Sequence, residues 1–153
     1  MQNEHAGCGP TRADHDRHDL DPRYLAFFDC FNRQLFYDAH DALEPLWLDT
    51  RHGADGNFFK GLIQLAGAFV HWQNERFGPA RALLRTGRAY LAGYPKLHHR
   101  LDVTAVLCLV DEWLRWLDPI VVGRQPSGEM APPQLRLTGS ESPAEQTASR
   151  LDS

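Results

Sequence analysis

From Phe58 to Trp72 apolar side chains occupy nearly every side of a helix: Phe58, Phe59, Leu62, Ile63, Leu65, Ala66, Phe69, Val70 and Trp72. A helix that is hydrophobic all round has no face to offer to water, so it belongs in the middle of its domain with other helices packed around it. The rest of the chain supplies those neighbours. Asp21-Pro22 is a helix start, with Asp as N-cap and Pro at the first helical position, and Tyr24, Phe27, Phe28, Phe31 and Leu35 follow at helical spacing. This first helix is expected to end near residue 34. A second is expected from Tyr37 to Thr50, ahead of the turn signal His52-Gly53-Ala54-Asp55-Gly56. Pro45 lies inside it and removes one amide, which predicts a kink or a restart near Asp41.

The central helix is expected over Asn57 to Glu75. A fourth runs from Gly78-Pro79 to Leu91 on a stripe of Ala80, Leu83, Leu84 and Tyr90, and a fifth from Asp102 to Leu117 on Val103, Val106, Leu107, Val110, Leu114 and Leu117. Gly93-Tyr94-Pro95 separates these two. No β-alternation of useful length is present, and short connections favour antiparallel neighbours. The fold class is therefore all-α, a single antiparallel bundle of about five helices over residues 21–120.

A chain of 153 residues can bury one adequate core without a metal or disulfide staple. Its formal charge of −4 gives no general attraction to nucleic acid or to an anionic membrane, so neither is expected as a partner. No apolar run approaches the roughly 20 residues of a transmembrane helix, and residues 1–20 lack the apolar centre of a signal peptide, which predicts a cytoplasmic protein. Cys8, Cys30 and Cys108 form no C-x-x-C pair. Cys30 and Cys108 fall on apolar helix faces and read as small buried hydrophobes. Residues 1–20, polar and rich in His and Asp, and residues 121–153, Pro/Gly-rich and then Ser/Glu/Thr-rich, are expected to be disordered tails.

Chemistry concentrates in the second and third helices. His40 and Glu44 stand four residues apart, which places both on one helix face beside Asp41, with Trp47 a turn further on. The third helix carries Lys60, Gln64, Gly67 and His71 as a polar stripe. Folding the pair into an antiparallel hairpin about residues 51–56 brings Trp47 near Lys60, Glu44 near Ile63 or Gln64, and His40 near Gly67, with His71 about one turn beyond. A buried cluster of this kind, His40, Asp41, Glu44, Trp47, Lys60, Gln64 and His71, must at least satisfy its own hydrogen bonds. Beyond that minimum it has two uses. His40, Glu44 and His71 supply two imidazoles and a carboxylate for a divalent transition metal, and the same residues suit metal-free acid–base work on, or binding of, a small polar molecule. The alternative is a non-catalytic interaction or scaffold domain in which the cluster only fixes helix register. H-E-x-x-H, G-x-S-x-G, Walker A and G-x-G-x-x-G are all absent.

The run H-D-A-L-E-P-L-W at 40–47, F-F-K-G-L-I-Q-L-A at 58–66, His71, and G-P-A-R-A-L-L at 78–84 resemble, taken together, the DUF309 proteins, a family of all-helical domains of unknown function. The family pattern reads H-E-x-x-E-x-x-W, and Asp41 stands here for its first Glu, keeping the charge and shortening the reach. The resemblance implies a helical fold and marks His40, Glu44, Trp47, Gln64 and His71 as its signature, but brings no established activity.

Other features have plainer readings. Arg81, Arg85 and Arg88 form a basic stripe on the fourth helix, able to hold an anion or to face solvent. His5, Cys8, His15 and His18 have metal-like spacings on a segment without hydrophobic support, enough for adventitious binding only. His98-His99 is expected in or just beyond a loop. Trp113 and Trp116 either cap the core or make a homodimer contact.

Overall fold

The computed structural model describes residues 21–139. Five helices account for most of them: α1 (Pro22–Asn32), α2 (Phe36–Thr50), α3 (Gly56–Gln73), α4 (Phe77–Leu91) and α5 (Val103–Val121). A two-stranded hairpin, β1 (Leu97–His98) paired antiparallel with β2 (Leu101–Asp102), joins α4 to α5. The all-α bundle expected from the periodicity is the fold observed.

Apolar periodicity explains the arrangement. α3 is central, packed against α2 on one side and α4 on the other, while α1 extends the α2 side and α5 the α4 side. Phe58, Phe59, Leu62, Leu65, Ala66 and Phe69 of α3 are completely or almost completely buried, as a helix apolar on nearly every side requires. Phe27, Phe31, Phe36 and Phe69 form a chain of ring contacts between α1, α2 and α3. Trp113 of α5 is buried edge-on against Phe69 and Trp72, which assigns it to the core.

Helix ends follow local chemistry. The Asp21 carboxylate accepts from the Arg23 amide at 2.9 Å with Pro22 at the first position of α1, and Asp102 caps α5 by accepting from the Ala105 amide at 3.0 Å. α2 begins at Phe36 and continues through Pro45 to Thr50, so the expected restart near Asp41 does not occur. α3 and α4 cross at glycines: a Cβ on Gly87 would stand 3.0 Å from the Gly61 carbonyl oxygen, and one on Gly61 would stand 2.8 Å from the Leu91 side chain. This close approach sets where Tyr90, three residues past Gly87, meets α3.

Two expectations need correction. The C-terminal segment placed in a disordered tail is packed over residues 121–138. α5 itself continues to Val121. Beyond it, the Asn32 side chain clamps Leu135, donating to its carbonyl and accepting from its amide, each at 2.7 Å. Leu135 is buried and Leu137 bridges Leu101. Trp116 donates to the Gly128 carbonyl at 2.8 Å, so this segment also covers the indole. Pro/Gly-rich composition conceals such packing, because the backbone finds its partners on other elements rather than within a periodic one of its own. The second correction is Cys108, which is exposed, whereas Cys30 is partly buried. Residues 1–20, with His5, Cys8, His15 and His18, and residues 140–153 lie outside the described residues.

Among the described residues no helix is long and apolar enough to cross a membrane.

Candidate functional site

The α2–α3 hairpin register expected from the sequence is largely the one observed. His40, Glu44 and Trp47 of α2 and Lys60, Ile63 and Gln64 of α3 line one cavity of about 180 Å³. Spacings of four and three on α2, and of three and four on α3, turn these side chains toward the same groove. The Lys60 ammonium lies 5.1 Å from the centre of the Trp47 ring and 5.7 Å from that of Tyr90, between an α2 and an α4 aromatic. Each such contact is worth roughly 0.5–2 kcal/mol and fixes where the positive charge stands.

The cluster differs from expectation in burial. Glu44 and Asp41 are exposed and His40 is about one-third exposed, so these residues border an open groove rather than forming a sealed network. The reason is position: α2 buries Ala39, Leu43 and Leu46 against the core, and His40 and Glu44 sit at the edge of that face. His40 Nδ1 lies 3.3 Å from Asp41 Oδ1, and His40, Asp41 and Glu44 hold one potential ligand atom each within 4.8 Å of one another. His71 is not among them, nor does it line the cavity. Gly67, expected to let α2 approach, instead faces α4, where its Cβ would stand 3.3 Å from Leu83. His71, a turn further along, has a buried Nδ1 with no hydrogen-bond partner among the described residues. The set His40, Glu44 and His71 is thus not assembled as a ligand triad.

A second group, formed by residues far apart in sequence, is more tightly gathered. The Asp55 carboxylate lies between two consecutive imidazoles, with Oδ1 2.8 Å from His98 Nε2 and Oδ2 2.8 Å from His99 Nε2. An ionised carboxylate can only accept, so both Nε2 atoms donate. Burial pushes the Asp55 carboxyl up, but the hydrogen bonds from His98 and His99 outweigh it and hold the group well below the usual carboxylate range. The rings of Phe58, Phe59, Tyr94 and Tyr24 pack around the two imidazoles.

The local backbone is arranged around this group. Asp55 occupies the N-cap position of α3 yet makes no side-chain cap bond. The Phe58 amide, third in the helix and an ordinary target of an Asp cap, donates instead to the Tyr94 hydroxyl at 3.0 Å, while that hydroxyl donates to the Ala54 carbonyl at 2.6 Å. His99 and Arg100 form the two-residue turn of the hairpin at φ of 45° and 63°, a left-handed conformation that favours Asn or Gly and costs other residues of order 1 kcal/mol or more. The Tyr24 hydroxyl donates to the His99 carbonyl at 2.7 Å and steadies the turn. Sequence reading placed His98-His99 in a loop and missed their partner. The available signal was a pair of adjacent histidines together with an Asp at a helix start.

The arginine stripe is engaged with α5. Arg88 makes a bidentate pair with Asp111 at 2.6 and 2.9 Å, and Arg81 and Arg85 approach Asp118 at 3.4 and 3.6 Å. Arg88 holds the Asp111 carboxyl below the usual carboxylate range. An anion at Arg81, Arg85 and Arg88 would have to displace these carboxylates.

No curated protein matches the chain. The family model of DUF309, described as a domain of unknown function, matches residues 24–83. The matched stretch holds α1, α2, α3 and the start of α4, and with them His40, Glu44, Trp47, Lys60 and Gln64 around their cavity. Over this segment, from Tyr24 to Leu83, the chain is similar to the DUF309 family.

Proposed function

We propose that the groove between α2 and α3 binds a small polar molecule carrying both a negative and a positive group, of about amino-acid size. The observation that carries this reading is the placement of Lys60 between the Trp47 and Tyr90 rings, on a cavity that also presents Glu44, His40 and Gln64. Lys60 and Glu44 line the same space, yet among the described residues no ion pair joins them, so each charge is available to a ligand. Lys60 would take an anionic group and Glu44 a cationic one, with Gln64 as donor or acceptor and the Trp47 face covering the body of the molecule. The volume of about 180 Å³ is below the roughly 300–1,000 Å³ of drug-sized sites, which selects for a small ligand.

His40 beside Glu44 adds an imidazole able to donate or accept a hydrogen bond, and a divalent metal held by His40, Asp41 and Glu44 is the metal-dependent version of the same site. The test is calorimetric titration with the common amino acids and with small dicarboxylates, repeated on Lys60→Met and Glu44→Gln. Binding lost in both variants supports the reading. Absence of binding across the panel at millimolar concentration, or binding that survives both substitutions, overturns it.

A further inference from the structure

We propose that Asp55, His98 and His99 form a binding site for a divalent transition-metal ion such as zinc, separate from the α2–α3 groove and independent of its proposed ligand. Each of the three residues already holds one potential ligand atom within 4.8 Å of the other two. Zinc bonds to imidazole nitrogen and carboxylate oxygen at about 2.0–2.2 Å, which in a tetrahedral site puts neighbouring ligand atoms roughly 3.3–3.6 Å apart. The two Nε2–oxygen separations of 2.8 Å are hydrogen-bond distances, and opening each by roughly half an ångström or slightly more, within the reach of small side-chain rotations, gives the ligand spacing. Metal entry exchanges two Nε2–H···O contacts for Nε2–metal bonds: each Nε2 gives up its proton, to solvent from an imidazolium or to Nδ1 of the same ring from a neutral imidazole. Two imidazoles with one carboxylate suit a borderline ion rather than calcium or magnesium, and three protein ligands leave a coordination position open.

Three features show that the arrangement is built rather than incidental. The α3 N-cap carboxylate is turned away from its own helix toward the imidazoles, and Tyr94 takes over the amide that it would otherwise satisfy. A strained turn at His99 and Arg100 is maintained where Gly or Asn would relieve it, and it holds consecutive histidines on the same carboxylate. The Asp55 and His99 side chains are 9% and 7% exposed, whereas that of His98 is 23% exposed, so the group has a wet side through which an ion enters. Surrounding aromatic rings lower the local dielectric and strengthen the attraction between the carboxylate and a cation.

The experiment uses the full chain. Because His5, Cys8, His15 and His18 offer competing ligands, the reading is a difference: zinc stoichiometry of metal-stripped wild type against His98→Ala and Asp55→Asn, with His52→Ala, at an exposed histidine outside both candidate groups, as control and circular dichroism as the check of folding. Wild type and His52→Ala should bind about one equivalent more than His98→Ala or Asp55→Asn. Equal stoichiometry in all four proteins overturns the proposal. Should the variants fail to fold, long-range proton–nitrogen spectra of the wild-type imidazoles decide. Zinc must shift the Nε2 resonances of His98 and His99, and shifts confined to other histidines overturn the assignment. Loss of zinc binding in His98→Ala alongside unchanged amino-acid titrations would separate this site from the groove.

Discussion

Gly87→Ala is the substitution on which helix propensity and packing give opposite answers. In a helix interior, alanine is more favourable than glycine by about 0.8–1 kcal/mol, so propensity alone makes the change stabilising. The structure places the new Cβ 2.9 Å from Leu65 Cδ2, 3.0 Å from the Gly61 carbonyl oxygen and 3.3 Å from Gln64 Cβ. Leu65 can rotate, although it is fully buried and has little room to do so; the Gly61 oxygen belongs to the α3 backbone and moves only if the helices separate. Overpacking of this kind costs about 1–3 kcal/mol. Subtracting the propensity gain leaves a net loss of roughly 0–2 kcal/mol, or up to about 8 °C in Tm for a domain of this size. Separation of α3 and α4 also draws Tyr90 off Lys60, so titrations of the α2–α3 groove should weaken along with stability. The control is Gly78→Ala near the start of α4, where a Cβ meets nothing within 4 Å and the change should be neutral or stabilising by up to about 1 kcal/mol. Urea unfolding of both variants is the assay. A Gly87→Ala protein as stable as Gly78→Ala would refute the claim that the glycines set the α3–α4 distance.

Three further outcomes are expected. His71→Leu should be neutral or stabilising by about 1 kcal/mol, since a buried Nδ1 without a partner carries an unrecovered desolvation cost; a loss above 1 kcal/mol in urea unfolding would show that the imidazole has a partner. Asn32→Ala removes both bonds to the Leu135 backbone and should cost about 1–2 kcal/mol while speeding amide exchange over residues 130–138; unchanged exchange there would contradict the clamp. Asp111 has a folded pKa lowered by Arg88, so its stabilisation is complete above the unfolded carboxylate range and disappears as pH falls through the folded value. Asp111→Asn should therefore cost less than about 1 kcal/mol at pH 7 for this surface pair, and the gap to wild type should close in strong acid; a gap that widens on acidification would reverse the sign.

Helical periodicity made the bundle legible because α3 allows only one environment and the other four helices carry complementary apolar stripes. The hairpin register was legible for the same reason: counting outward from residues 51–56 placed Trp47 beside Lys60 and Glu44 beside Ile63 and Gln64, as the shared cavity shows. Beyond that pair the count lost accuracy. Gly67 and His71 continue the polar stripe along α3, but the stripe passes from the α2 side to the α4 side, where Gly67 meets Leu83. Spacing along one helix does not say which neighbour receives each residue. Burial was misjudged because His40 and Glu44 share a helix with a buried face without lying at its centre. The packed segment 122–138 carries no periodicity at all, and its anchors are scattered over other elements: Asn32 in α1, Leu101 in β2 and Trp116 in α5.

The Asp55 group escaped sequence reading for a different reason. Its two histidines are adjacent, which in a helix or a regular strand would direct them apart. Only the left-handed turn at His99 and Arg100 lets both reach one carboxylate, and that conformation belongs to residues whose identities do not announce it. Asp55 reads as one residue of the turn at 52–56, yet it stands at the N-cap position of α3 while Tyr94 caps the helix from the loop after α4. The α3 N-terminus is therefore where the central helix is held by the rest of the chain: Tyr94 ties it to the α4–β1 connection, and Asp55 ties it to the hairpin that leads into α5. A hydrogen-bonding role in joining these elements would by itself be served by one donor on Asp55. Two imidazoles, held on one carboxylate at the cost of a strained turn, exceed that need and give the carboxylate the geometry of a ligand set rather than of a cap.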